Sequence, residues 1–259
     1  MGDGAYALEI RDASKRFGGI VATDHVNIKV KTGQIFGIIG PNGAGKTTLF
    51  NMITGVYSPT EGEVFLNGEP IAGKLPYEIA CKGIARTFQN IRLFGDLSVY
   101  ENIRIAYQKN MSYGLLEGIL KTKKYKDEEA KCAEKCQEIL TDMGLWEMGD
   151  YLAGNLPYGM QRRLEIARAL ATSPKVLLLD EPAAGMNEEE SSGLARMIKG
   201  ISARYKGITI LVIDHHMDVI MSVCDEITVI NFGRQLATGK PWEIQSNQEV
   251  IDAYLGVDD

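Results

Sequence analysis

The run Gly40-Pro41-Asn42-Gly43-Ala44-Gly45-Lys46-Thr47-Thr48 decides the fold. Ahead of it lies an apolar stretch, Ile35-Phe36-Gly37-Ile38-Ile39, and behind it Leu49-Phe50-Asn51-Met52-Ile53, so the order reads strand, glycine loop, helix. Glycines at 40, 43 and 45 let the backbone turn tightly and bring its N–H groups against phosphate oxygens. The emerging helix turns the positive end of its dipole toward the same place. In such a loop Lys46 reaches the β- and γ-phosphates of a nucleotide and the Thr47 hydroxyl ligates Mg2+. Pro41, Asn42, Ala44 and Thr48 complete the cradle.

Two further strand ends carry chemistry suited to a bound phosphate. Val176-Leu177-Leu178-Leu179 is a continuous apolar run of the kind buried on both faces of a parallel sheet, and it ends in Asp180-Glu181-Pro182. Ligands of open α/β sheets collect at the carboxyl ends of strands, so one carboxylate can hold Mg2+ and the other can polarise a water. A helix over about 188–204 leads to a second apolar strand, Ile208 to Ile213, which runs into Asp214-His215-His216. Taken alone His215 reads as an exposed loop residue; beside the other two sites it reads as a contact to the γ-phosphate.

Before the phosphate loop the pattern alternates. Leu8 and Ile10, then Val26, Ile28 and Val30, point one way with polar residues between, as in half-buried antiparallel strands. Glu61 to Gly68 is another short strand closed by an Asn-Gly turn and joins the same layer. Phe17, with polar neighbours and no apolar period to claim it, either stacks on an adenine ring or packs on the sheet. At the far end Ile227-Thr228-Val229-Ile230 and Gln235-Leu236-Ala237 form a hairpin, and Glu249 to Leu255 closes the chain with a short helix.

The texture becomes helical over roughly 76–172. Ile84 to Asn90, including Gln89, leads into a loop with Arg92 and Phe94, followed by a helix from Val99 to Tyr107. Met111 to Lys126 is less ordered, and its Lys121-Thr122-Lys123-Lys124-Tyr125-Lys126 run is a solvated face or a contact to an anionic partner. Asp127 to Met143 is amphipathic, with Ala133, Cys136, Ile139, Leu140 and Met143 on the apolar side. Leu156-Pro157-Tyr158-Gly159-Met160-Gln161 ends a loop, and a helix from Gln161 to Ala171 stops before Pro174.

Composition sets the outer bounds. With 259 residues, 45% hydrophobic and 24% charged, the chain builds a sizeable core in one or two lobes. A net charge of −6 argues against nonspecific nucleic-acid binding. No stretch is apolar enough to span a membrane and Met1-Gly2-Asp3-Gly4 is not a signal peptide, so a cytoplasmic protein is expected, with any membrane role exerted through a partner. Cys81, Cys132, Cys136 and Cys224 lack paired C-x-x-C spacing and read as ordinary residues of a reducing compartment. Three histidines, at 25, 215 and 216, make a histidine metal cluster an unexpected feature.

In this order and approximate spacing, the phosphate loop, Gln89, the Leu156–Gln161 loop, Asp180-Glu181 and His215 resemble the nucleotide-binding subunits of ATP-binding-cassette transporters along nearly the whole chain. The resemblance implies a single α/β domain over 1–259 of the P-loop NTPase (RecA-like) type. It would have a parallel-sheet core, an N-terminal antiparallel β layer and a helical subdomain. It also implies two subunits sandwiching two ATP molecules, each site completed by Tyr158, Gly159 and Met160 of the opposite signature loop. By the same resemblance Phe17 stacks on adenine, Asp180 holds Mg2+ through water and Glu181 is the general base. Gln89 senses Mg2+ and the membrane permease, and His215 holds the γ-phosphate. Arg86-Thr87-Phe88-Gln89, Asn155-Leu156-Pro157-Tyr158-Gly159, Glu181 to Asn187 and the Met111–Lys126 insert look more narrowly like the ATPases of branched-chain amino-acid importers, which work with a solute-binding protein. Lipopolysaccharide-export ATPases share part of that pattern; soluble cassette ATPases and P-loop kinases share less.

Three features, at four positions, depart from the family pattern. Pro157 replaces the usual signature serine and Tyr158 the glycine after it, which removes a hydroxyl donor but leaves the Gly159 and Met160 N–H groups and the helix dipole. Asn187 stands where an aspartate is usual. His216 stands where an acid is common, and His215, directly after Ile213-Asp214, is taken as the switch.

Overall fold

A computed structural model describes residues 6–255, and the Met1–Gly4 stretch read above lies outside them. Two long strands open the chain, β1 (Tyr6–Phe17) and β2 (Ile20–Lys31), followed by β3 (Ile35–Ile39) and helix α1 (Lys46–Ile53). Next come β4 (Glu61–Leu66), β5 (Glu69–Pro70), α2 (Pro76–Lys82) and β6 (Ile84–Arg86). The middle of the chain is helical: α3 (Val99–Tyr107), α4 (Leu115–Ile119), α5 (Lys123–Asp142) and α6 (Tyr158–Ala171). Strand and helix then alternate through β7 (Val176–Asp180), α7 (Glu188–Arg204), β8 (Thr209–Ile213), α8 (Met217–Val223), β9 (Glu226–Asn231) and β10 (Arg234–Gly239), before α9 (Pro241–Gln245) and α10 (Gln248–Leu255).

These elements separate into two compact units, one made of the chain up to Gln89 and from Lys175 onward, the other of Asn90–Pro174. The first unit holds two sheets. β2, β1, β4 and β5 form the antiparallel layer, with Leu8 opposite Val30 and Leu66, and Ile10 opposite Ile28 and Val64. Leu8, Ile10, Val26, Ile28, Val30 and Val64 are all buried, as their alternation requires. The second sheet has the order β10-β9-β3-β8-β7-β6, parallel except for the β9–β10 hairpin. Its central strands β3, β7 and β8 are buried at every residue, which is why they read as unbroken apolar runs.

The expected lobe boundary at 76 moves to 90. α2 and β6 belong to the first unit, because Ile84, Ala85 and Arg86 pair in parallel with Val176, Leu177 and Leu178 of β7. In the second unit α3, α5 and α6 pack on one another. α3 starts on a capping box in which the Ser98 hydroxyl accepts from Glu101 N–H and the Glu101 carboxylate accepts from Ser98 N–H. The apolar stripe of α5 uses Cys132 where Ala133 was expected: Cys132, Cys136, Ile139 and Leu140 are buried and Ala133 is exposed. The stretch expected to be less ordered contains α4, and the helix expected from Asp127 starts at Lys123 behind a Thr122 cap. α6 starts three residues before the expected Gln161, because Pro157 takes the cap position and its fixed φ leads straight into the first turn.

Candidate nucleotide site

The first unit gathers the ends of β3, β6, β7 and β8. Gly40 (φ 153°) and Gly45 (φ 103°) are needed by the protein itself, since a Cβ would lie 2.0 Å from the Ile230 carbonyl oxygen at one and 2.3 Å from the Ala22 carbonyl oxygen at the other. The loop is thus pressed against its own sheets, and Gly43, with open space around it, is left as the exposed bend beside Asn42. Ala44 N–H donates to the Pro41 carbonyl at 3.2 Å, closing the turn. α1 then starts with no side-chain cap and no acidic residue in its first turn. Its leading N–H groups therefore present uncompensated positive charge.

Lys46 is buried and its ammonium donates to the carbonyl oxygens of Gly40 (2.6 Å) and Pro41 (2.9 Å). Both acceptors are neutral. Burial pushes the Lys46 pKa down, and the charge of Glu181 works the other way. Thr47 is exposed on the first turn, and Thr48 is half-buried next to it.

The acidic side is fixed by β6 and β7. Asp180 is buried at the end of β7, and its Oδ2 accepts from Arg86 Nη2 at 2.6 Å. The other guanidinium nitrogen of Arg86 donates to Asn51 Oδ1 on α1 at 2.7 Å, and the group lies 5.6 Å from the Phe50 ring and 5.3 Å from the Phe88 ring. Asp180 N–H donates to the Thr87 hydroxyl at 3.3 Å. Glu181 adopts left-handed φ 46°, a conformation that costs a non-glycine residue about 1–2 kcal/mol. Its N–H donates to the Ile213 carbonyl at 2.7 Å, and its carboxylate accepts from Gln89 Nε2 at 2.8 Å.

The histidines divide. His215 Nδ1 lies 3.8 Å from Glu181 Oε2 with its side chain 56% exposed. His216 Nδ1 is 2.7 Å from Asp214 Oδ1, and the two rings are 4.1 Å apart. Buried Asp214 also accepts from the N–H groups of Ala183 and His216, so it fixes the turn after β7 to the turn after β8. One donor atom each from Asp214, His215 and His216 lies within 4.8 Å of the others, a grouping the sequence reading did not expect.

The chemistry of this donor set fits a nucleotide with a hard cation. A buried ammonium resting on two neutral carbonyls and an uncapped helix start are complementary to phosphate, while the Thr47 hydroxyl, the Asp180 and Glu181 carboxylates and the Gln89 amide are oxygen ligands suited to Mg2+. Phe17 ends β1, 41% exposed; its ring meets Tyr57 edge to face at 5.0 Å and Lys15 Nζ lies 5.2 Å away. It packs on a neighbour and still presents a surface.

In the second unit, Tyr158 at the start of α6 is 45% exposed, and its hydroxyl accepts from Arg162 Nη2 at 3.3 Å. Arg162 and Glu165 are both buried and paired at 2.7 Å. Gly159 and Met160 follow in the first turn, which has neither a side-chain cap nor an acid. Asn187, the departure in the first unit, caps α7: its Oδ1 accepts from Glu190 N–H at 2.9 Å, as an aspartate would.

The sequence singles out Arg86, Thr87 and Asp214 without showing a role for them, and Tyr254 not at all. Tyr254, on α10, has its hydroxyl pushed up to about 12 by partial desolvation, with the backbone of Gly40 acting in the opposite direction.

A family model described as ABC transporter matches residues 23–184, which take in both the phosphate loop and Asp180-Glu181. The chain belongs to the ABC transporter ATPase family. A second model, described as branched-chain amino acid ATP-binding cassette transporter, matches residues 234–259. The high-affinity branched-chain amino acid transport ATP-binding protein BraF of Pseudomonas aeruginosa is 45% identical over 249 residues, covering 96% of this chain and 97% of BraF. LivG of Escherichia coli, a protein of the same description, is 42% identical over the same shares. Among solved structures, the ADP conformation of an ATP-binding cassette of an ABC transporter matches with TM-score 0.83 and 33% identity over 97% of this chain and 99% of that one. A nucleotide-free cassette matches with TM-score 0.81 and 33% identity, covering 96% and 98%. The fold is that of the ABC cassettes: an α/β P-loop core with an added antiparallel layer and helical unit. No helix among the described residues is long and apolar enough to cross a membrane.

Proposed function

We propose that this cassette is the ATP-hydrolysing subunit of an importer for branched-chain amino acids. In this reading it sits at the cytoplasmic face of the membrane against permease subunits, paired with a second ATPase subunit, and served indirectly by a solute-binding protein. The observation that carries the ATPase reading is the convergence of Lys46, Glu181, Gln89 and His215 at one end of the parallel sheet. The amino-acid assignment is supported by the BraF and LivG matches and by the match to the last 26 residues, 234–259.

In the proposed mechanism Gly40 to Thr48 cradle the phosphates through backbone N–H groups, and Lys46 exchanges its carbonyl acceptors for phosphate oxygens. Thr47, Asp180 and Gln89 would hold Mg2+, which offsets charge on the transferring phosphoryl group. Glu181 accepts the proton of the attacking water, and its left-handed backbone aims the carboxylate at Gln89 and His215. His215 donates to the γ-phosphate. Phe17 offers a ring face to adenine, and Tyr158, Gly159 and Met160 present the start of α6 to the partner's nucleotide. Residues 1–259 act as one cassette.

Mg2+-dependent ATP hydrolysis by the purified chain, alone and with its companion subunit, tests the enzyme; absence of any Mg2+-dependent ATP affinity would end the reading. Uptake of labelled leucine, isoleucine and valine by vesicles containing the reconstituted transporter tests the cargo. Active hydrolysis without uptake of any of the three would remove the amino-acid assignment alone.

A further inference from the structure

The segment from Met111 to Lys126, in the second unit, takes no part in the chemistry above. On α4 and the residue after it, Leu115, Leu116, Ile119 and Leu120 fall within an arc of about 140° at 100° per residue. All four are exposed, between 67% and 82%. Glu117, on the opposite side, turns inward: its carboxylate accepts from Gly114 N–H at 2.7 Å and pairs with Lys124 Nζ at 3.3 Å.

Polar clamps hold the segment in this orientation. Ser112 donates through N–H and hydroxyl to Glu128, the Tyr113 hydroxyl donates to Glu129 at 2.7 Å, and Lys124 Nζ donates to the Ser112 carbonyl at 3.0 Å. The Tyr113 and Tyr125 rings meet edge to face at 5.0 Å. The aliphatic face therefore points outward because the other face is tied down. An apolar patch of this kind marks a contact with something outside the chain.

Charge identifies what that is. Lys121, Lys123 and Lys126 are exposed beside the patch, and residues 111–126 carry four lysines against one glutamate in a chain of net charge −6. Asp127 is the exposed acid at its border, while Glu128 and Glu129 are engaged with Ser112, Tyr113 and Arg104. Aliphatic side chains flanked by free ammonium groups on flexible stems are the composition of a short interfacial anchor, with the stems lying along the apolar layer and the charges at headgroup level. A protein partner would have to supply matching acids at each lysine; an anionic bilayer supplies them everywhere.

We propose that this segment is a direct contact with anionic lipid: the four aliphatic side chains enter the headgroup–acyl boundary while the three lysines engage the headgroups. The contact adds to whatever the permease provides and does not depend on the transport assignment.

The test is sedimentation of the full-length chain with vesicles of phosphatidylcholine alone and of phosphatidylcholine mixed with phosphatidylglycerol, with ATP binding measured alongside to show that each variant is folded. The wild type is expected to bind the mixed vesicles, less so at high salt. Changing Lys121, Lys123 and Lys126 together to Gln is expected to weaken that binding by about a hundredfold, at about fivefold per lysine. Changing Leu115, Leu116, Ile119 and Leu120 together to Ser is expected to weaken it by at least about a hundredfold. Absence of wild-type binding to mixed vesicles overturns the proposal, as does binding that both variants retain. Loss of permease co-purification by the serine variant with vesicle binding intact also overturns it and assigns the face to a protein.

Discussion

The starts of α1 and α6 are two versions of one device. Neither has a side-chain cap or an acid in its first turn, so both present free N–H groups and a positive dipole end. They differ in what stands behind. α1 leaves a glycine-built loop through Gly45 in left-handed geometry, with the Lys46 ammonium buried on two carbonyls that a phosphate can replace. α6 leaves Pro157 in extended geometry, and its buried cation, Arg162, is already paired with Glu165. The first can grip a polyphosphate by itself. The second brings a dipole worth about 0.3–1 kcal/mol and suits a phosphate held elsewhere.

The largest expected effect separates gripping from chemistry. Glu181→Gln leaves both helix starts intact and removes only the proton acceptor, so turnover should fall by about 10²–10⁴ while ATP binding persists. Single-turnover hydrolysis with equilibrium ATP binding measures the two together, and near-normal turnover would remove Glu181 as the base. A second support peculiar to the α1 side is the buried pair of Arg86 and Asp180. Arg86→Ala leaves Asp180 buried without its cation and should destabilise the fold by about 3–5 kcal/mol. Mg2+ with ATP would give Asp180 a replacement charge, so the stabilisation on adding both should exceed that of the wild type in thermal melts. Equal shifts would show that Asp180 is not exposed to the metal.

Lys46→Ala makes α1 resemble α6, a dipole without an available cation. Affinity for ATP should drop by about a hundredfold, the equivalent of about 3 kcal/mol of charge-assisted contact. Tight binding by this variant in equilibrium dialysis would break the contrast between the two helices.

Short-range order was readable and long-range partnership was not. The β3–loop–α1 unit and the acids after β7 sit in buried strands whose apolar runs leave little choice of structure. β6 has three residues, too few for a period, and the role of Arg86 appears only when that strand pairs with β7 and sets Arg86 beside Leu178. Tyr254 reaches Gly40 across most of the chain, and nothing local marks it. In α5 the choice between Cys132 and Ala133 was one of phase: both suit an apolar face, and packing selected the one in step with Cys136, Ile139 and Leu140. Gly40 and Gly45 read as turn residues that bring N–H groups to phosphate; that the Ile230 and Ala22 carbonyls also leave no room for their side chains shows only in the packed structure.

The smallest effect tests the weaker helix. Pro157 supplies φ −53° and no side-chain hydrogen bond, so the start of α6 keeps its N–H groups for a ligand but adds no hydroxyl. Pro157→Ser would restore one donor, worth about 1.5 kcal/mol against a charged phosphate, and would also let the helix cap itself. The two effects offset each other: a serine hydroxyl that accepts from its own helix still donates its proton to phosphate, but the N–H it caps is withdrawn from the ligand. If the dipole and N–H groups of α6 already do most of what this helix contributes, ATP-dependent association of two subunits should tighten by no more than about tenfold for each of the two nucleotide sites. The measurement is sedimentation velocity of the Glu181→Gln background with and without Pro157→Ser. An unchanged or weaker dimer would mean that the proline start is itself the better phosphate-facing end, and the contrast with α1 would then lie in Lys46 alone.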